Sequence, residues 1–203
     1  MFCFQNKRGE KEWILKIVVG VSGASGSIYG LRLLEKLRAA PDVETHLIVT
    51  RSAEKTLFLE TGNKSSVLKE LAHYSYAIED IGCRLASGSF RTDGMIVAPC
   101  SIHTMSAIAA GVSSNLLIRA ADVSLKEHRK LILMVRETPL HLGHLRSMVL
   151  LAEMGAIIAP PMPAFYTRPE TVMDLVDATV DRILDLLQLP SQTCKRWDGG
   201  RTE

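Results

Sequence analysis

Five short, continuous apolar runs, each followed by a stretch with helical spacing, constrain this chain more than any other feature. The runs fall at residues 14–20, 45–50, 94–98, 131–135 and 156–159. They are rich in Val, Ile and Leu and lack the alternation of a sheet with one wet face, as expected of strands buried on both sides in a parallel sheet. Helical patterns fill the intervals at 27–39, 52–60, 101–110, 116–127 and 142–154. A last helix is expected to begin near Pro169, which suits its first turn. Its apolar residues Val172, Leu175, Val176, Val180, Ile183, Leu184 and Leu187 repeat at helical spacing. Strict βα alternation with right-handed crossovers predicts an α/β fold: a flavodoxin-like, doubly wound, mostly parallel sheet of five strands in a single domain. Residues 61–93 read as one helix at 65–72 and then a long loop containing Ser and Gly.

Length and composition agree with a single core. Of 203 residues, 47% are apolar and 23% charged, enough to bury a sizeable interior. Residues 1–13 read as an N-terminal extension, 14–190 as the domain and 191–203 as a tail. Lys and Arg total 24 against 22 Asp and Glu, a formal charge of +2, which gives no electrostatic reason for a nucleic acid or acidic-lipid partner. No apolar run approaches the roughly 20 residues of a membrane span, so no membrane insertion is expected. The polar start has no secretory pattern. Cys3, Cys83, Cys100 and Cys194 form no CxxC pair, and a reducing cytoplasm is the expected location.

In a doubly wound sheet the ligand lies beyond the carboxyl ends of the strands. The residues that follow each run therefore compose one site: Gly20 to Gly26; Thr50, Arg51 and Ser52; Pro99 to Thr104; Arg136 and Glu137; and Pro160 to Tyr166. Hydroxyls, arginines, one carboxylate and one tyrosine make an anion-binding pocket beside a flat ligand. The amides of the Gly-rich turn and the helix after it are expected to hold a phosphate or a polarised oxygen. The turn is not a dinucleotide fingerprint, because Ser22 takes the place of the second glycine. Thr50 and Arg51 stand where an acidic ribose partner would be, so nicotinamide is disfavoured. His141 and His144 read as a helix-start pair, Cys100 as a buried thiol, and Asp174, Asp177, Asp181 and Asp185 as a solvated helix face, leaving no metal site.

Six segments together resemble the flavin prenyltransferases, the UbiX-type proteins long called aromatic acid decarboxylases. They are Val21-Ser-Gly-Ala-Ser-Gly26, Ala98-Pro-Cys-Ser101, Asn115 to Asp122, Leu125-Lys-Glu127, Val135-Arg-Glu137 and Pro163-Ala-Phe-Tyr166. The resemblance runs from about Leu15 to Trp197, with the motifs in family order. It implies FMN as bound co-substrate, no metal, and transfer of dimethylallyl from dimethylallyl monophosphate to N5 and C6 of reduced FMN. The prenylated FMN would pass to a UbiD-type decarboxylase, and the enzyme would assemble as a homododecamer with sites at subunit junctions. The alternatives are a flavin-dependent cysteine decarboxylase of the same fold and a non-catalytic FMN-binding subunit of an aromatic acid decarboxylase. The first would need a histidine on the helix after the second strand, which reads Ser52 to Glu60 without one.

The resemblance also implies roles. Glu137 matches the catalytic acid that protonates the departing phosphate, a task that burial would help by raising its pKa. Ser25 matches the serine that helps move the N5 proton, and Glu60 a second active-site carboxylate. Gly23, Ala24, Ser25, Thr50, Ser101, Thr104, Arg119 and Arg136 match FMN contacts. Ser87, Gly88, Ser89, Lys126, Arg136, Tyr166 and Arg182 match prenyl-phosphate contacts, with Arg182 able to complete a neighbouring subunit's site. One departure stands out: the segment from Ile81 to Ala86 carries no aromatic to stabilise an allylic cation, which leaves that role to another aromatic such as Trp197 or to the flavin itself.

Overall fold

Seven consecutive residues, Leu15–Val21, form the central strand β1, and its Val and Ile side chains are buried on both faces. The remaining strands are β2 (Val43–Val49), β3 (Tyr74–Tyr76), β4 (Gly94–Cys100), β5 (Lys130–Val135) and β6 (Ile157–Ile158). All pair in parallel, in the order β3-β2-β1-β4-β5-β6. The computed structural model describes residues 4–5, 11–12 and 15–189. Trp197, Cys3, Cys194 and the 191–203 tail lie outside them. Phe4–Gln5 pairs antiparallel with Lys11–Glu12, apart from the main sheet.

The helices are α1 (Ser27–Ala39), α2 (Arg51–Thr61), α3 (Ser65–Leu71), α4 (Ile102–Ala109), α5 (Leu116–Lys126), α6 (Leu142–Glu153) and α7 (Val172–Leu186). Two apolar layers result. Helices α1, α2, α3 and α7 cover one face of the sheet and α4, α5 and α6 the other. All seven residues of β4 are buried, as a central strand between two helical layers requires. Among the described residues no helix is long and apolar enough to cross a membrane.

Four expectations are corrected. The sheet has six strands, not five, because Tyr74–Tyr76 adds an edge strand beside β2. Without it the order is that of a five-stranded flavodoxin-like sheet. Pro169 precedes the last helix instead of lying in its first turn. Thr171 is the N-cap: its hydroxyl accepts from the Asp174 amide (3.1 Å), and Asp174 Oδ2 accepts from the Thr171 amide (2.8 Å). Val172, counted in the apolar stripe, is 74% exposed. Nor are Asp177 and Asp181 on a solvated face, although Asp174 is exposed as expected. Arg32 of α1 donates Nε and Nη2 to the two oxygens of Asp177, both at 2.9 Å, and Lys36 Nζ donates to Asp181 at 2.6 Å. Asp181 is 2% exposed, so α7 docks on α1 through buried charge as well as through Val176, Val180 and Ile183.

The edge strand carries a mixed polar and aromatic core. His46 on β2 is fully buried, stacked on Tyr74 (5.1 Å between centroids) and edge-on to Phe90 (5.3 Å). Arg84 Nε donates to Tyr76 Oη (2.7 Å), and its guanidinium lies over Tyr74. Since arginine only donates, the Tyr76 hydroxyl proton is free for His46 Nδ1, 3.0 Å away. Nε2–H then donates to Glu44 Oε1 at 2.9 Å. Burial lowers the His46 pKa to about 4, with Arg84 and Lys16 acting the same way against Glu44. The unfolded histidine binds its proton first as pH falls, so stability is full above the ordinary value of 6.5 and declines toward 4. Urea titrations at pH 7 and pH 5 should show a loss of roughly 1–2 kcal/mol from this group, absent in His46→Gln. An equal loss in the variant would reject the assignment.

Candidate active site

The carboxyl ends of the four central strands are bound to one another by a short set of hydrogen bonds. Ser22, 1% exposed, donates its hydroxyl to Pro99 O (2.9 Å) and accepts from the Ser101 amide (2.7 Å). The Thr50 amide donates to Val21 O and the Arg136 amide to Cys100 O, both at 3.0 Å. The turns after β1, β2, β4 and β5 thus share one edge, at the point between β1 and β4 where the strand order reverses.

Two helix starts open on this edge. Thr50 caps α2, its hydroxyl accepting from the Ala53 amide (3.1 Å) and lying 3.1 Å from Ser52 Oγ. Ser101 caps α4, accepting from the Thr104 amide (3.2 Å) and donating to Thr104 Oγ1 (3.1 Å). Gly23 passes close to Ser52: a Cβ there would stand 2.4 Å from Ser52 Oγ. Hydroxyls and amide-bearing helix starts fit an FMN phosphate, its ribityl chain and a flat ring, and Gly23 lets the turn approach the start of α2 closely.

The start of α1 behaves differently from expectation. Gly26, with φ 99°, turns its amide and that of Ser27 onto Glu60 at the end of α2, at 2.8–3.0 Å. The carboxylate occupies the place predicted for a phosphate, because an acid delivered by α2 satisfies the same orphan amides. Partial burial alone would raise the Glu60 pKa. Hydrogen bonds from the Ser25 hydroxyl and from the Ser27 and Gly26 amides outweigh it and hold the carboxyl below its ordinary value. Ser25 and Glu60 are therefore brought together. Arg136, exposed beyond β5, lies near Tyr29 of α1; burial raises the Tyr29 pKa, and the charge of Arg136 opposes that rise. Glu137 is exposed in the single chain, not buried as its proposed role favours, because it stands past the end of β5; its carboxylate accepts from the Thr138 amide (3.0 Å).

A second group forms around the turn at Ser87, Gly88 and Ser89. The two serine hydroxyls are 2.9 Å apart. A Cβ on Gly88 would stand 2.1 Å from Glu127 Oε1 and 2.6 Å from Lys126 Nζ, so the turn sits directly against the Lys126–Glu127 ion pair. Arg119 joins from α5, its Nε donating to Ala86 O (3.1 Å) and its Nη1 to Asp122 (2.6 Å). Tyr166 and Arg182 are brought together elsewhere. Both line a cavity of about 940 Å³ between α7 and the segment after β6, which Lys126 and Arg136 do not line. Arg182 donates to Asp185 at 2.6 Å. Ile81 is 61% exposed, and Phe90, just past the Ser87–Ser89 turn, packs edge-on against His46. Cys100 is fully buried, which pushes its thiol pKa far up. His141 caps α6 by accepting from the Gly143 amide (3.0 Å). Among the described residues no three His, Cys, Asp or Glu side chains gather as a metal site.

Ser22 and Glu127 stand in the quoted motifs with no role assigned to them, and Arg129 stands outside the motifs. Ser22 belongs to the Gly-rich turn, where the sequence shows it as a departure from the dinucleotide fingerprint but not as a bridge between strands. Glu127 and Arg129 lie in a charged stretch after a helix, where spacing gives no sign of what they touch.

This sheet edge, with hydroxyl-capped helix starts packed against the Gly-rich turn, fits an FMN-handling flavoprotein, and the Flavoprotein family profile matches residues 5–186. Within that class the chain belongs to the UbiX-type flavin prenyltransferases. It is 54% identical over 185 residues to flavin prenyltransferase UbiX of Thauera aromatica, covering 91% of this chain and 95% of the relative. The crystal structure of AnUbiX (PadA1) in complex with FMN and dimethylallyl pyrophosphate superimposes with a TM-score of 0.90 at 45% identity, over 92% of this chain and 98% of that one. A dodecameric FMN-dependent UbiX-like decarboxylase from Escherichia coli O157:H7 gives 0.89 at 48% identity, over 91% and 100%. The chain is a prenyltransferase that takes FMN as bound co-substrate and prenylates it.

Replacing Glu60 with Ala orphans the Gly26 and Ser27 amides at the start of α1. The expected loss is about 1 kcal/mol in denaturant unfolding, small because the carboxylate is exposed. Glu60→Gln should lose less, since its carbonyl still accepts. Unchanged stability in both would show the clamp to be idle.

Proposed function

We propose that the donor is dimethylallyl monophosphate, that transfer falls on N5 and C6 of reduced FMN, and that the product serves a UbiD-type decarboxylase. The observation that carries the donor assignment is the seating of the Ser87-Gly88-Ser89 turn on Lys126, an anion site separate from the helix starts at Thr50 and Ser101. Two anion sites suit two phosphorylated substrates bound at once. When bound, reduced FMN supplies the nucleophilic N5 and C6.

This chain's residues then have distinct tasks. Gly23, Ala24, Thr50, Ser101, Thr104 and Arg119 hold FMN, with Arg136 at its edge. Ser87, Gly88, Ser89 and Lys126 bind the donor phosphate together with Arg136, and their charge stabilises the phosphate as the allylic C–O bond breaks. Glu137 gives the leaving phosphate a proton. Ser25 takes the proton that leaves N5, and its partner Glu60, ionised at neutral pH by its hydrogen bonds, accepts it.

Tyr166 and Arg182 complete a neighbouring copy's phosphate site within a homododecamer. Supporting this are the exposed apolar residues Leu142, Leu145, Val149 and Leu150 on α6, and Met162, Phe165 and Val172 beside the Tyr166–Arg182 cavity. The dodecamer of the Escherichia coli relative supports it as well. We place the enzyme in the cytoplasm, where the free thiols Cys83 and Cys100 stay reduced.

Anaerobic incubation with reduced FMN and dimethylallyl monophosphate should release a flavin heavier by one isoprene unit in mass spectrometry. Unmodified flavin, with FMN binding confirmed, would return the chain to an FMN-binding accessory. Glu137→Gln should retain FMN while single-turnover transfer slows about 100-fold, the usual scale for a lost proton donor. An unchanged rate would remove its acid role.

A further inference from the structure

Three carbonyls of the donor-phosphate turn, those of Ala86, Gly88 and Phe90, are each held by an arginine. Arg119 Nε takes Ala86 O at 3.1 Å. Arg129 takes the other two, Nη2 to Gly88 O at 2.6 Å and Nη1 to Phe90 O at 2.8 Å, with Nη1 also 3.3 Å from Thr92 Oγ1. The Arg129 side chain is only 13% exposed. It is delivered by the turn that ends α5, where His128 adopts φ 52° and the Arg129 amide donates to Ser124 O (2.8 Å). Glu127 bridges this corner, paired with Lys126 and 3.9 Å from Arg129.

A turn that binds an anion must keep its carbonyl oxygens away from it, since each carries negative partial charge. We propose that Arg129 is a positioning residue for prenyl transfer: its planar fork draws the Gly88 and Phe90 carbonyls to one side, which leaves the Ser87 and Ser89 hydroxyls and Lys126 to meet the donor phosphate. Glu127 keeps Lys126 and Arg129 at this corner together. The inference rests on the proposal that this turn receives the donor. The fork matters beyond its charge, because one ammonium cannot span two carbonyls two residues apart with the same geometry.

Kinetics with reduced FMN and dimethylallyl monophosphate on the full-length enzyme test this. Arg129→Ala and Arg129→Lys should both raise the donor KM about tenfold, with kcat and FMN affinity changed less than about twofold. Full recovery of KM in Arg129→Lys would overturn the fork, and that variant decides the matter if Arg129→Ala does not fold. An unchanged KM in both arginine variants, when Ser87→Ala with Ser89→Ala raises it, would overturn the positioning role alone. An unchanged KM in the double serine variant would instead overturn the donor site itself, and this inference with it.

Discussion

One buried hydroxyl sets the geometry from which the rest of the site follows. Ser22 lies where the chain leaves β1, and with one donor and one acceptor it ties that turn to both sides of the β4 exit, at Pro99 O and the Ser101 amide. β1 and β4 are neighbours whose helices leave on opposite faces, so the crevice between their exits is the natural place for a ligand. Without a bridge, two turns heading to opposite faces would have only strand pairing to hold their spacing. A glycine at position 22, as the dinucleotide fingerprint prefers, would give closer backbone approach but no such bridge. The sequence feature that argues against nicotinamide is thus the one that builds the flavin site.

The electrostatics divide the same edge into unlike parts. Three helices begin there, and each start carries unsatisfied amides and a positive dipole end. α1 is neutralised by Glu60, whereas α2 and α4 are capped by neutral hydroxyls and keep their positive ends. An anionic ligand is steered toward the second pair. At the α1 start the acid does something else: amides and the Ser25 hydroxyl keep it ionised, so a base stands beside the serine assigned to the flavin proton. Glu60 so contributes both to the folding of the Gly-rich turn and to the proposed chemistry.

Much of this was legible in the sequence. Continuous apolar runs gave β1, β2, β4 and β5 to within a few residues, because burial on both faces leaves only one composition possible. The helix at Ser27–Ala39 was read at its full length. β3 was not legible: Tyr-Ser-Tyr is three residues long, lies at the edge and stacks on the buried His46. The α7 acids misled for a related reason. Asp177 and Asp181 look like a wet face unless Arg32 and Lys36, about 145 residues away, are known to face them. Periodicity reports which side of a helix is apolar, but not whether its polar side meets water or a partner charge. Glu127 and Arg129 were hidden likewise, since their partners lie on a loop joined to them only by the fold.

The groups assigned to the donor phosphate are divided between two places on one chain. Groups that share a single phosphate must converge within hydrogen-bond distance of its oxygens, about 3 Å. Lys126 sits with the Ser87–Ser89 turn, while Tyr166 and Arg182 line a different cavity together with the exposed Met162, and Phe165 and Val172 are exposed as well. A monomer would keep these apolar side chains in water beside charged residues with no common ligand. In the proposed assembly a second copy packed against this surface would bury the apolar side chains and carry the second pair toward the first chain's phosphate. On that proposal assembly and donor binding share one cause: the surface that drives association also carries the groups offered to the neighbouring copy's site.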